Sequence, residues 1–426
     1  MKRRSAIRRS AGARSAALLD GPIPPRGYNR SSMPIYLDHA STTPLRPEAL
    51  EAMLPYLGAA FGNPSSHHAW GRAARNGLDE AHERLAAALG GTAREIILTS
   101  GGTEANNLAL KGAAWVGRAR GNRIVTTTIE HHAVGHSLAH LAKFGFEIAE
   151  VGVDRTGRVD PDEVAAAIDD RTIVVAVMLA NNEVGTIQAV REIADRLPRR
   201  RGVHLHVDAV QAAAYLDLDV AALGADTIAI GAHKFEGPKG VGAVWVRRGT
   251  PLLAQVHGGS QERHRRAGTE DVAGAVGMAV AYELACAEKP ATRARLAGFR
   301  ARLAAACGAV DGVELTGHPT ERLPGLLSLL CRGADGTAVA VALDLEGIAV
   351  STGSACASGD PEPSHVLLAM GYARDEATSA LRLSLGRATT PAEVDEAGRV
   401  VPRVIAALRD GTTALAADRL AAGPPA

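Results

Sequence analysis

A glycine-rich loop holds the residues of this chain with the clearest capacity for chemistry, His233 and Lys234. The apolar runs Thr227 to Ile230 and Val241 to Val246 predict buried strands on either side, so the loop fixes a lysine at a strand end. Burial disfavours an ammonium ion, which lowers the pKa of a lysine and frees its amine to attack a carbonyl group. This pattern predicts Schiff-base chemistry at Lys234, and the alternative from this stretch alone is an ordinary loop cation.

A second stretch has the pattern of an anion site. Residues 95–99 predict a strand, residues 100–103 (Ser-Gly-Gly-Thr) a tight turn, and residues 104–114 a helix. The unpaired N–H groups and the positive end of the helix dipole would face the turn, where Ser100 and Thr103 add hydroxyl donors for a phosphate. A simple helix cap is the alternative for the same four residues.

Polar residues follow three more apolar runs at the points where predicted strands end. Apolar runs that alternate with amphipathic helices favour a largely parallel sheet with helices on both faces, and ligands bind at the carboxyl edge of such sheets. An aspartate at this edge would be costly to bury without a cation or an N–H partner. The strands are residues 123–129, 173–178 and 204–207, and the polar residues expected to meet at their carboxyl ends are His131, Asn181, Asp208 and Gln211.

These features together suit one cofactor. Pyridoxal 5'-phosphate needs a lysine amine, an anion site for its phosphate, and an acidic side chain that keeps its pyridine nitrogen protonated so that the ring withdraws electrons. Lys234, the turn at residues 100–103 and Asp208 would supply these three parts. Each part is a weak signal alone, but the combination predicts a pyridoxal-phosphate enzyme.

A different kind of reactive group lies in the second half of the chain. Cys356 is surrounded by serine, glycine and alanine, which predicts an exposed, mobile loop and suits a nucleophile that must travel. The other three cysteines lie in apolar or helical settings, where a buried structural thiol is the ordinary interpretation. Arg382 alternates with apolar residues on a predicted strand, so it is either a surface charge or a fork that grips a carboxylate.

The composition limits the class of protein. The 426 residues are 46% hydrophobic, which supports two domains with their own cores. The four cysteines form no close pair, which indicates a reducing compartment rather than a disulfide scaffold or zinc ribbon. No apolar run approaches the roughly 20 residues that span a bilayer. We therefore expect a cytoplasmic protein without a membrane segment.

Positive charge is concentrated at the N terminus. Residues 1–33 hold eight basic residues and one acid, whereas the whole chain has a net charge of +1, which leaves −6 for the remainder. A mildly acidic body gives no reason to expect nucleic-acid binding, and the Ser/Ala/Gly/Pro-rich tail is expected to be a disordered basic extension. Three interpretations of the tail stay open: a translated stretch upstream of a true start at Met33, an organelle transit peptide, or a basic arm.

His132, His136 and His140 are spaced to share one helix face, which could suggest a metal site. The i, i+4 spacing occurs in metalloproteases, but the glutamate that their mechanism requires between the two histidines is missing here. We therefore expect no metal at this helix.

After the glycine-rich loop the chain leaves the first unit. Residues 255–271 are too charged for a core, which predicts a loop over the site or into a partner subunit. A long helix-forming region at residues 273–310 then leads to predicted strands at 326–330 and 348–351. This order predicts a smaller second α/β domain.

Five motifs carry a resemblance to a known family. They are Tyr-Leu-Asp-His-Ala-Ser-Thr-Thr-Pro from residue 36, Ser-Gly-Gly-Thr-Glu-Ala-Asn-Asn from residue 100, Ala-His-Lys-Phe-Glu-Gly-Pro-Lys-Gly from residue 232, Arg-Ala-Gly-Thr-Glu from residue 266 and Ser-Thr-Gly-Ser-Ala-Cys-Ala-Ser from residue 351. Over about residues 34–410 the chain resembles the cysteine desulfurases of the class V aminotransferase family. The last motif resembles the long-loop group that supplies sulfur for iron–sulfur clusters and nitrogenase-type systems.

The resemblance implies an α/β protein of pyridoxal-phosphate transferase fold type I. A large cofactor-binding domain, residues 46–288, would contain a mainly parallel, seven-stranded sheet. A smaller α/β domain, residues 34–45 and 289–426, would carry the catalytic cysteine loop, and residues 1–33 would be a disordered basic extension. The family also implies a homodimer.

The resemblance implies an activity as well, the conversion of L-cysteine to L-alanine with a persulfide left on Cys356. The sulfur would pass to an acceptor such as an iron–sulfur scaffold or a tRNA-thiolation protein, and an iron–sulfur cluster could be bound transiently near Cys356. The implied roles of the other residues are these: Lys234 binds the cofactor covalently, Asp208 its pyridine nitrogen and Gln211 its ring hydroxyl, His131 stacks on the ring and shuttles protons, Asn181 lies beside ring and substrate, Gly102, Thr103 and His233 hold the phosphate, Thr269 reaches the phosphate of the other subunit, and Arg382 takes the substrate carboxylate.

One departure from the family and three rival functions remain. Many relatives have a serine at the position of Gly231, so this chain would hold the phosphate with one hydroxyl fewer and depend more on Thr103 and His233. A selenocysteine lyase or a class V aminotransferase would share the cofactor residues, and the aminotransferase would make a keto acid without Cys356. A catalytically weak scaffold for iron–sulfur assembly is the rival from outside the enzymes.

Overall fold

The computed structural model describes residues 34–198, 202–353 and 363–411, whose strands form three sheets. One sheet has seven strands, one has three, and the last is a two-stranded pair. The strands in chain order are β1 (Ile35–Tyr36), β2 (Ile96–Thr99), β3 (Arg123–Thr127), β4 (Glu147–Val151), β5 (Thr172–Met178), β6 (His204–Asp208), β7 (Thr227–Gly231), β8 (Gly242–Val246), β9 (Val313–Thr316), β10 (Leu326–Cys331), β11 (Ile348–Ala349) and β12 (Ala380–Ser384).

Helices connect most of these strands, as the alternation of apolar runs and amphipathic segments predicts. Within the described ranges, no helix combines the length and the apolar character that crossing a bilayer requires. Apart from the distorted helical turn Gln261–His264, the α-helices are α1 (Pro47–Leu57), α2 (Ala69–Leu89), α3 (Gly102–Gly117), α4 (His132–Ala142), α5 (Pro161–Ala166), α6 (Val190–Arg196), α7 (Val220–Leu223), α8 (Val272–Gly308), α9 (Gly336–Leu345), α10 (His365–Ala369), α11 (Arg374–Thr378) and α12 (Pro391–Arg409).

The large sheet has the strand order β2-β8-β7-β6-β5-β3-β4. Strands β4, β3, β5, β6 and β7 are parallel, which confirms the predicted mainly parallel, seven-stranded sheet. Strand β8 runs antiparallel to both β7 and β2. The connection between β7 and β8 is too short for a helical crossover, so it returns the chain alongside itself. That return places the glycine-rich loop at the end of β7.

Helices cover both faces of this sheet, and the alternation along β5 shows why. Val174 and Ala176 point to one face, where they pack with Leu110 and Leu138 of α3 and α4. The neighbouring Val175 and Val177 point to the opposite face, into the cluster that contains residues of α2 and α8. Successive side chains of a strand alternate between faces, so a strand that is apolar throughout must be covered on both sides.

A second apolar cluster lies around the three-stranded sheet β12-β10-β9 and helix α12. It includes Leu37 from the start of the described chain and Leu296 and Leu303 from the second half of α8. Strand β1 pairs with β11, so the first described residues belong to this part of the molecule. The division into residues 46–288 and residues 34–45 with 289–426 stays a prediction, and this cluster supports it.

One charged residue of the stretch that the sequence predicts as a charged loop is buried. The carboxylate of Glu262 accepts a hydrogen bond from the N–H of Leu98 (3.1 Å) and lies 3.1 Å from Nε2 of His82. Leu98 belongs to β2, an edge strand, so Glu262 satisfies a donor that the edge leaves unpaired. Glu262, Arg263 and His264 have φ angles of 44°, 58° and 61°, a strained turn that such contacts must hold in place.

Candidate active site

A cavity of about 320 Å³ lies at the carboxyl ends of the parallel strands of the large sheet. Strand β6 ends at Asp208 and strand β5 ends at Met178, and both residues line it. Of the four polar residues expected to meet at this edge, His131, Asp208 and Gln211 line the cavity. Of the residues predicted for the site, the cavity is lined by Gly102, Thr103, His131, Asp208, Gln211, His233, Lys234 and Arg382.

Lys234 lies at the end of a single 3-10 turn, Ala232–Lys234, directly after β7. Its Nζ donates hydrogen bonds to the carbonyl oxygens of Ala40 (2.5 Å) and Ser41 (2.9 Å). Lys239, the other lysine of the loop, is exposed and does not line the cavity. Of the two lysines of the loop, only Lys234 lines the cavity.

The loop that carries Lys234 is anchored by a buried ion-pair cluster around Glu236. Glu236 has a φ of 63°, a conformation that costs about 1–3 kcal/mol for a residue other than glycine. Its carboxylate accepts hydrogen bonds from Arg46 (2.9 Å) and Arg387 (2.6 Å), and its N–H donates to Thr43 Oγ1 (2.8 Å). These contacts connect the loop to the start and the end of the described chain. No local pattern in the sequence reveals this cluster, because Arg46, Glu236 and Arg387 are far apart in the chain.

The turn predicted to bind a phosphate places the N terminus of α3 at the cavity. Helix α3 begins at Gly102, and the N–H groups of a first helical turn have no partner within the helix. A side chain at Gly102 would place its Cβ only 2.5 Å from Val210, so the close approach requires glycine. Thr103 lines the cavity, whereas Ser100 does not. The first turn of a helix of this length is a favourable place for a phosphate.

Asp208 has two N–H partners, as its burial requires. Its Oδ1 accepts a hydrogen bond from the N–H of Val210 (2.9 Å), and its Oδ2 accepts one from Nδ2 of Asn106 (2.7 Å). Burial raises the pKa of Asp208 above its ordinary value, although nearby His131 and these two hydrogen bonds act in the opposite direction. A cation placed in the cavity would favour the ionised carboxylate, and a protonated pyridine nitrogen is such a cation.

His131 and Gln211 offer a proton donor and a free acceptor. Nδ1 of His131 accepts a hydrogen bond from the N–H of Ala133 (3.1 Å), and burial lowers the pKa of His131, so its neutral ring carries the proton on Nε2. Gln211 is buried, and its Oε1 has no hydrogen-bond partner among the described residues. That orphaned oxygen fits a ligand hydroxyl in the cavity.

His233 is neutral at neutral pH. Burial lowers the pKa of His233 to about 4, and its Nδ1 lies 3.2 Å from Oγ1 of Thr42. A neutral imidazole binds a phosphate through one N–H rather than through charge. The positive field at a bound phosphate would therefore come mainly from the N terminus of α3.

Arg382 keeps one donor available in a buried setting. Its terminal nitrogens donate hydrogen bonds to the carbonyl oxygen of Asn182 (2.8 Å) and to Asp38 Oδ1 and Ser41 Oγ (2.9 and 2.8 Å). Its Nε–H has no partner in the described part of the chain, although Arg382 is only 3% exposed. Since buried donors are rarely left unsatisfied, this group suits the carboxylate of a bound substrate.

Two predicted site residues, Asn181 and Thr269, do not line the cavity, and a third lies outside the described residues. The side chain of Asn181 is fully buried, where its Oδ1 accepts the N–H groups of Glu183 (2.8 Å) and Val184 (3.0 Å). Thr269 is exposed and is not among the lining residues. Cys356 lies outside the described residues. The roles assigned to these three residues stay predictions.

Two histidines of α4 pack against one another at the surface. His132 and His136 are exposed, with ring centroids 4.9 Å apart, and the ring of His365 is 5.0 Å from that of His132. In the ranges that the structure covers, no group of three or more His, Cys, Asp or Glu side chains is arranged to hold a metal ion.

The chemical character of the lining fits pyridoxal phosphate. A helix N terminus stands where a phosphate would bind, a buried aspartate can take a ring nitrogen, and an unpartnered amide oxygen can take a ring hydroxyl. The Lys234 amine and the Arg382 Nε–H belong to the same lining. The residues of the chain thus form a consistent set for this cofactor and an amino-acid substrate.

Gly231→Ser is expected to tighten the hold on that cofactor. Gly231 has an extended backbone, and a Cβ there would lie 3.4 Å from the N–H nitrogen of Gly102, at ordinary contact distance. A hydroxyl at this place would add one donor beside the phosphate turn, so we expect about 5-fold stronger binding of pyridoxal phosphate to the apoprotein. A fluorescence titration measures this, with Gly231→Ala as the control for the added Cβ. Equal affinity of the serine and alanine variants would show that no phosphate contact is gained.

Comparison with known proteins gives a consistent result. The sequence pattern of the family described as aminotransferase class-V matches residues 35–397. A protein named cysteine desulfurase IscS from Methanosarcina thermophila is 44% identical over 376 residues, which cover 88% of this chain and 93% of that protein. A solved structure titled NifS-like protein superposes with a TM-score of 0.83 at 35% identity and covers 88% of this chain and 99% of its own. Another, titled SspA in complex with cysteine, has a TM-score of 0.72 at 30% identity and covers 82% and 98%.

Proposed function

The chain belongs to the class V aminotransferase family and is a cysteine desulfurase, and from this premise we propose how its own residues divide the reaction. Lys234 and its neighbours activate L-cysteine, and Cys356 takes the sulfur. The overall step is balanced: L-cysteine and a protein thiol give L-alanine and a protein persulfide. The observation that carries the proposal is the meeting of Lys234, Asp208 and the N terminus of α3 on one cavity with Arg382.

The first half of the reaction belongs to the cavity. Bound pyridoxal phosphate supplies an electron sink that weakens the bonds of the amino acid. Arg382 binds the substrate carboxylate through its Nε–H, and this contact orients the amino group towards Lys234. Lys234 holds the cofactor and moves a proton at the substrate α-carbon. His131, with its proton on Nε2, is the second proton donor of the lining.

The second half of the reaction belongs to Cys356. Gly353 lines the cavity, and three residues of chain reach at most about 11 Å, so a cysteine three residues further on can be brought to the substrate. Burial raises the pKa of the Cys307 and Cys331 thiols to about 12, and neither residue lines the cavity. These two thiols hold almost no thiolate at neutral pH, and Cys286 does not line the cavity either, which leaves Cys356 as the suited nucleophile.

A homodimer completes the proposed site. Thr269 is exposed, and Arg266 of the same loop donates two hydrogen bonds to Glu104 (2.8 and 3.1 Å), which fixes the loop beside α3. Leu57, Phe61 and Trp70 are 63%, 72% and 56% exposed, an apolar surface that a second copy would cover. In that dimer Thr269 reaches the phosphate end of the partner's cavity.

The persulfide passes its sulfur to a protein acceptor. A scaffold for iron–sulfur clusters is the acceptor class that we propose, with tRNA-thiolation proteins as a second, and a cluster held transiently near Cys356 belongs to the same proposal. The cytoplasm is the proposed location, because a reducing compartment keeps Cys356 as a thiol. We propose no nucleic-acid partner, since the chain beyond residue 33 carries a net charge of −6.

One assay tests the proposed function. Purified protein with pyridoxal phosphate, L-cysteine and a dithiol reductant is expected to release alanine and sulfide in equal amounts. Cysteamine is the control substrate: it lacks the carboxylate that Arg382 binds, so its turnover is expected to be at least about 100-fold slower. A keto acid as product would indicate an aminotransferase, and preference for selenocysteine a lyase. Partner binding with negligible turnover would indicate a scaffold.

A further inference from the structure

A continuous chain of buried polar side chains connects Asp208 with the interior of the large sheet. Asn106 Nδ2 lies 2.7 Å from Asp208 Oδ2, and Asn106 Oδ1 lies 2.8 Å from His206 Nε2. On the other side of the His206 ring, Nδ1 lies 2.9 Å from Thr227 Oγ1, which is 2.8 Å from His204 Nε2. Asn106, His206 and Thr227 are at most 1% exposed, and His204 is 8% exposed.

The chemistry of the two ends fixes the direction of the first two hydrogen bonds. An ionised carboxylate can only accept hydrogen bonds, so Asn106 must turn its NH₂ group towards Asp208. The carbonyl oxygen of Asn106 then faces His206, which must donate from Nε2. The tautomer of His206 is therefore set by the charge of Asp208.

The remaining bonds follow from the neutral state of His206. Burial lowers the pKa of His206 to about 3, so its ring carries one proton, on Nε2, and a bare Nδ1. That nitrogen accepts the hydroxyl proton of Thr227, and the oxygen of Thr227 is left to accept from Nε2 of His204. Every hydrogen bond from His204 through Thr227, His206 and Asn106 then donates in the direction of Asp208, an arrangement in which each bond polarises the next.

We propose that Asn106 and His206 are positioning residues that keep Asp208 ionised and oriented for the pyridine nitrogen of the cofactor, with Thr227 and His204 as the outer part of the same chain. This inference rests on the proposed function. In a buried site the hydrogen bond from Asn106 offsets part of the cost of an ionised carboxylate, and an ionised Asp208 favours a protonated ring nitrogen. These hydrogen-bonded side chains thus set how strongly the pyridine ring of the cofactor withdraws electrons.

The first test uses the unchanged apoprotein, so it does not depend on whether a variant folds. In ¹⁵N-histidine-labelled protein, the ring of His206 is expected to be the Nε2–H tautomer and to remain neutral between pH 5 and 8. NMR spectra that correlate ring nitrogens with carbon-bound protons distinguish the two tautomers. An Nδ1–H tautomer, or protonation of His206 within this pH range, would overturn the proposal.

The second test compares Asn106→Leu with Asn107→Leu. Both residues lie on α3, but the amide of Asn107 donates to the carbonyl oxygen of Thr103 (2.9 Å) within the same helix. Asn106→Leu is expected to weaken pyridoxal-phosphate binding about 10-fold or more. It should also shift the pH midpoint of the visible absorption band of the loaded protein by about half a unit or more. Asn107→Leu should stay within about 2-fold of the unchanged protein in affinity and keep its midpoint.

Thr227→Val tests the next hydrogen bond of the series and replaces threonine by a side chain of similar shape. It removes the donor to His206, so a smaller shift of the midpoint in the same direction as for Asn106→Leu is expected. If the hydrogen-bonded side chains had only a structural role, these substitutions would lower the thermal stability of the protein but leave the pH midpoint of its absorption band unchanged. That outcome would refute the proposal. Release of alanine and sulfide by the unchanged protein tests the proposed function separately, so the failure of one inference can be told from the failure of the other.

Discussion

Replacement of Cys356 by alanine is expected to abolish cysteine-dependent sulfide release while the protein keeps the colour of its cofactor. The change removes the thiol that we propose as the acceptor of the sulfur, but it alters none of the side chains that line the described cavity. We expect sulfide release to fall at least about 1,000-fold, towards the uncatalysed background, as when other catalytic nucleophiles are removed. Sulfide and alanine are measured on the same samples as the visible spectrum.

Cys286→Ala is the matched control for this variant. Cys286 is half-buried and does not line the cavity, so its loss should leave sulfide release unchanged. Mass spectrometry of protein quenched during turnover adds a direct readout, since the extra sulfur should be found on the peptide that contains Cys356. Undiminished sulfide release by Cys356→Ala would remove this residue as the nucleophile.

Replacement of Lys234 by alanine is expected to stop the reaction at an earlier point. Without this amine the protein would lose both roles that we propose for Lys234, the covalent hold on the cofactor and proton transfer at the substrate α-carbon. Loss of a positioned proton-transfer group alone costs about 100-fold to 10,000-fold, so we expect turnover to fall by at least about 1,000-fold. Single-turnover formation of alanine measures this loss, because it does not depend on the later transfer of sulfur.

Lys239→Ala is the control, since it removes a lysine from the same loop. Lys239 is exposed and outside the cavity, and its replacement should leave both turnover and cofactor content within about 2-fold of the unchanged protein. Borohydride reduction followed by peptide mapping should then find the cofactor on Lys234. Label on Lys239 instead would contradict the assignment of the reactive amine.

Much of the large sheet could be predicted from the sequence because its strands are short apolar runs. The run at residues 173–178 is observed as Thr172–Met178, and the run at 227–230 as Thr227–Gly231. A strand that is buried on both faces of a sheet must be apolar throughout, so its burial is visible in the sequence as an apolar run. The place of β2 beside β8 is different. It depends on which strand pairs with which across the fold, and no local pattern contains that information.

In the candidate site, too, residues that a local sequence pattern indicates could be predicted, whereas contacts between distant residues could not. The position of Asp208 at the cavity could be predicted because this residue ends a predicted strand, and that of Lys234 because it lies in a glycine-rich loop. The ion pairs of Glu236 with Arg46 and Arg387 could not, since the three residues are far apart in the chain. One signal for His206 was present: His204, His206 and Asp208 alternate with apolar residues, which places three polar groups on one face of a buried strand.

Helix α8 packs into both apolar cores, and this couples their unfolding. Its 37 residues extend for about 55 Å and contribute Met278 and Tyr282 to the core of the large sheet, then Leu296 and Leu303 to the second apolar cluster. If either core unfolded alone, half of this continuous helix would lose the side chains that pack against it. Unfolding of one core without the other therefore costs free energy. The molecule should therefore denature cooperatively, so that Lys234 and Arg382 stay aligned until the whole structure is lost.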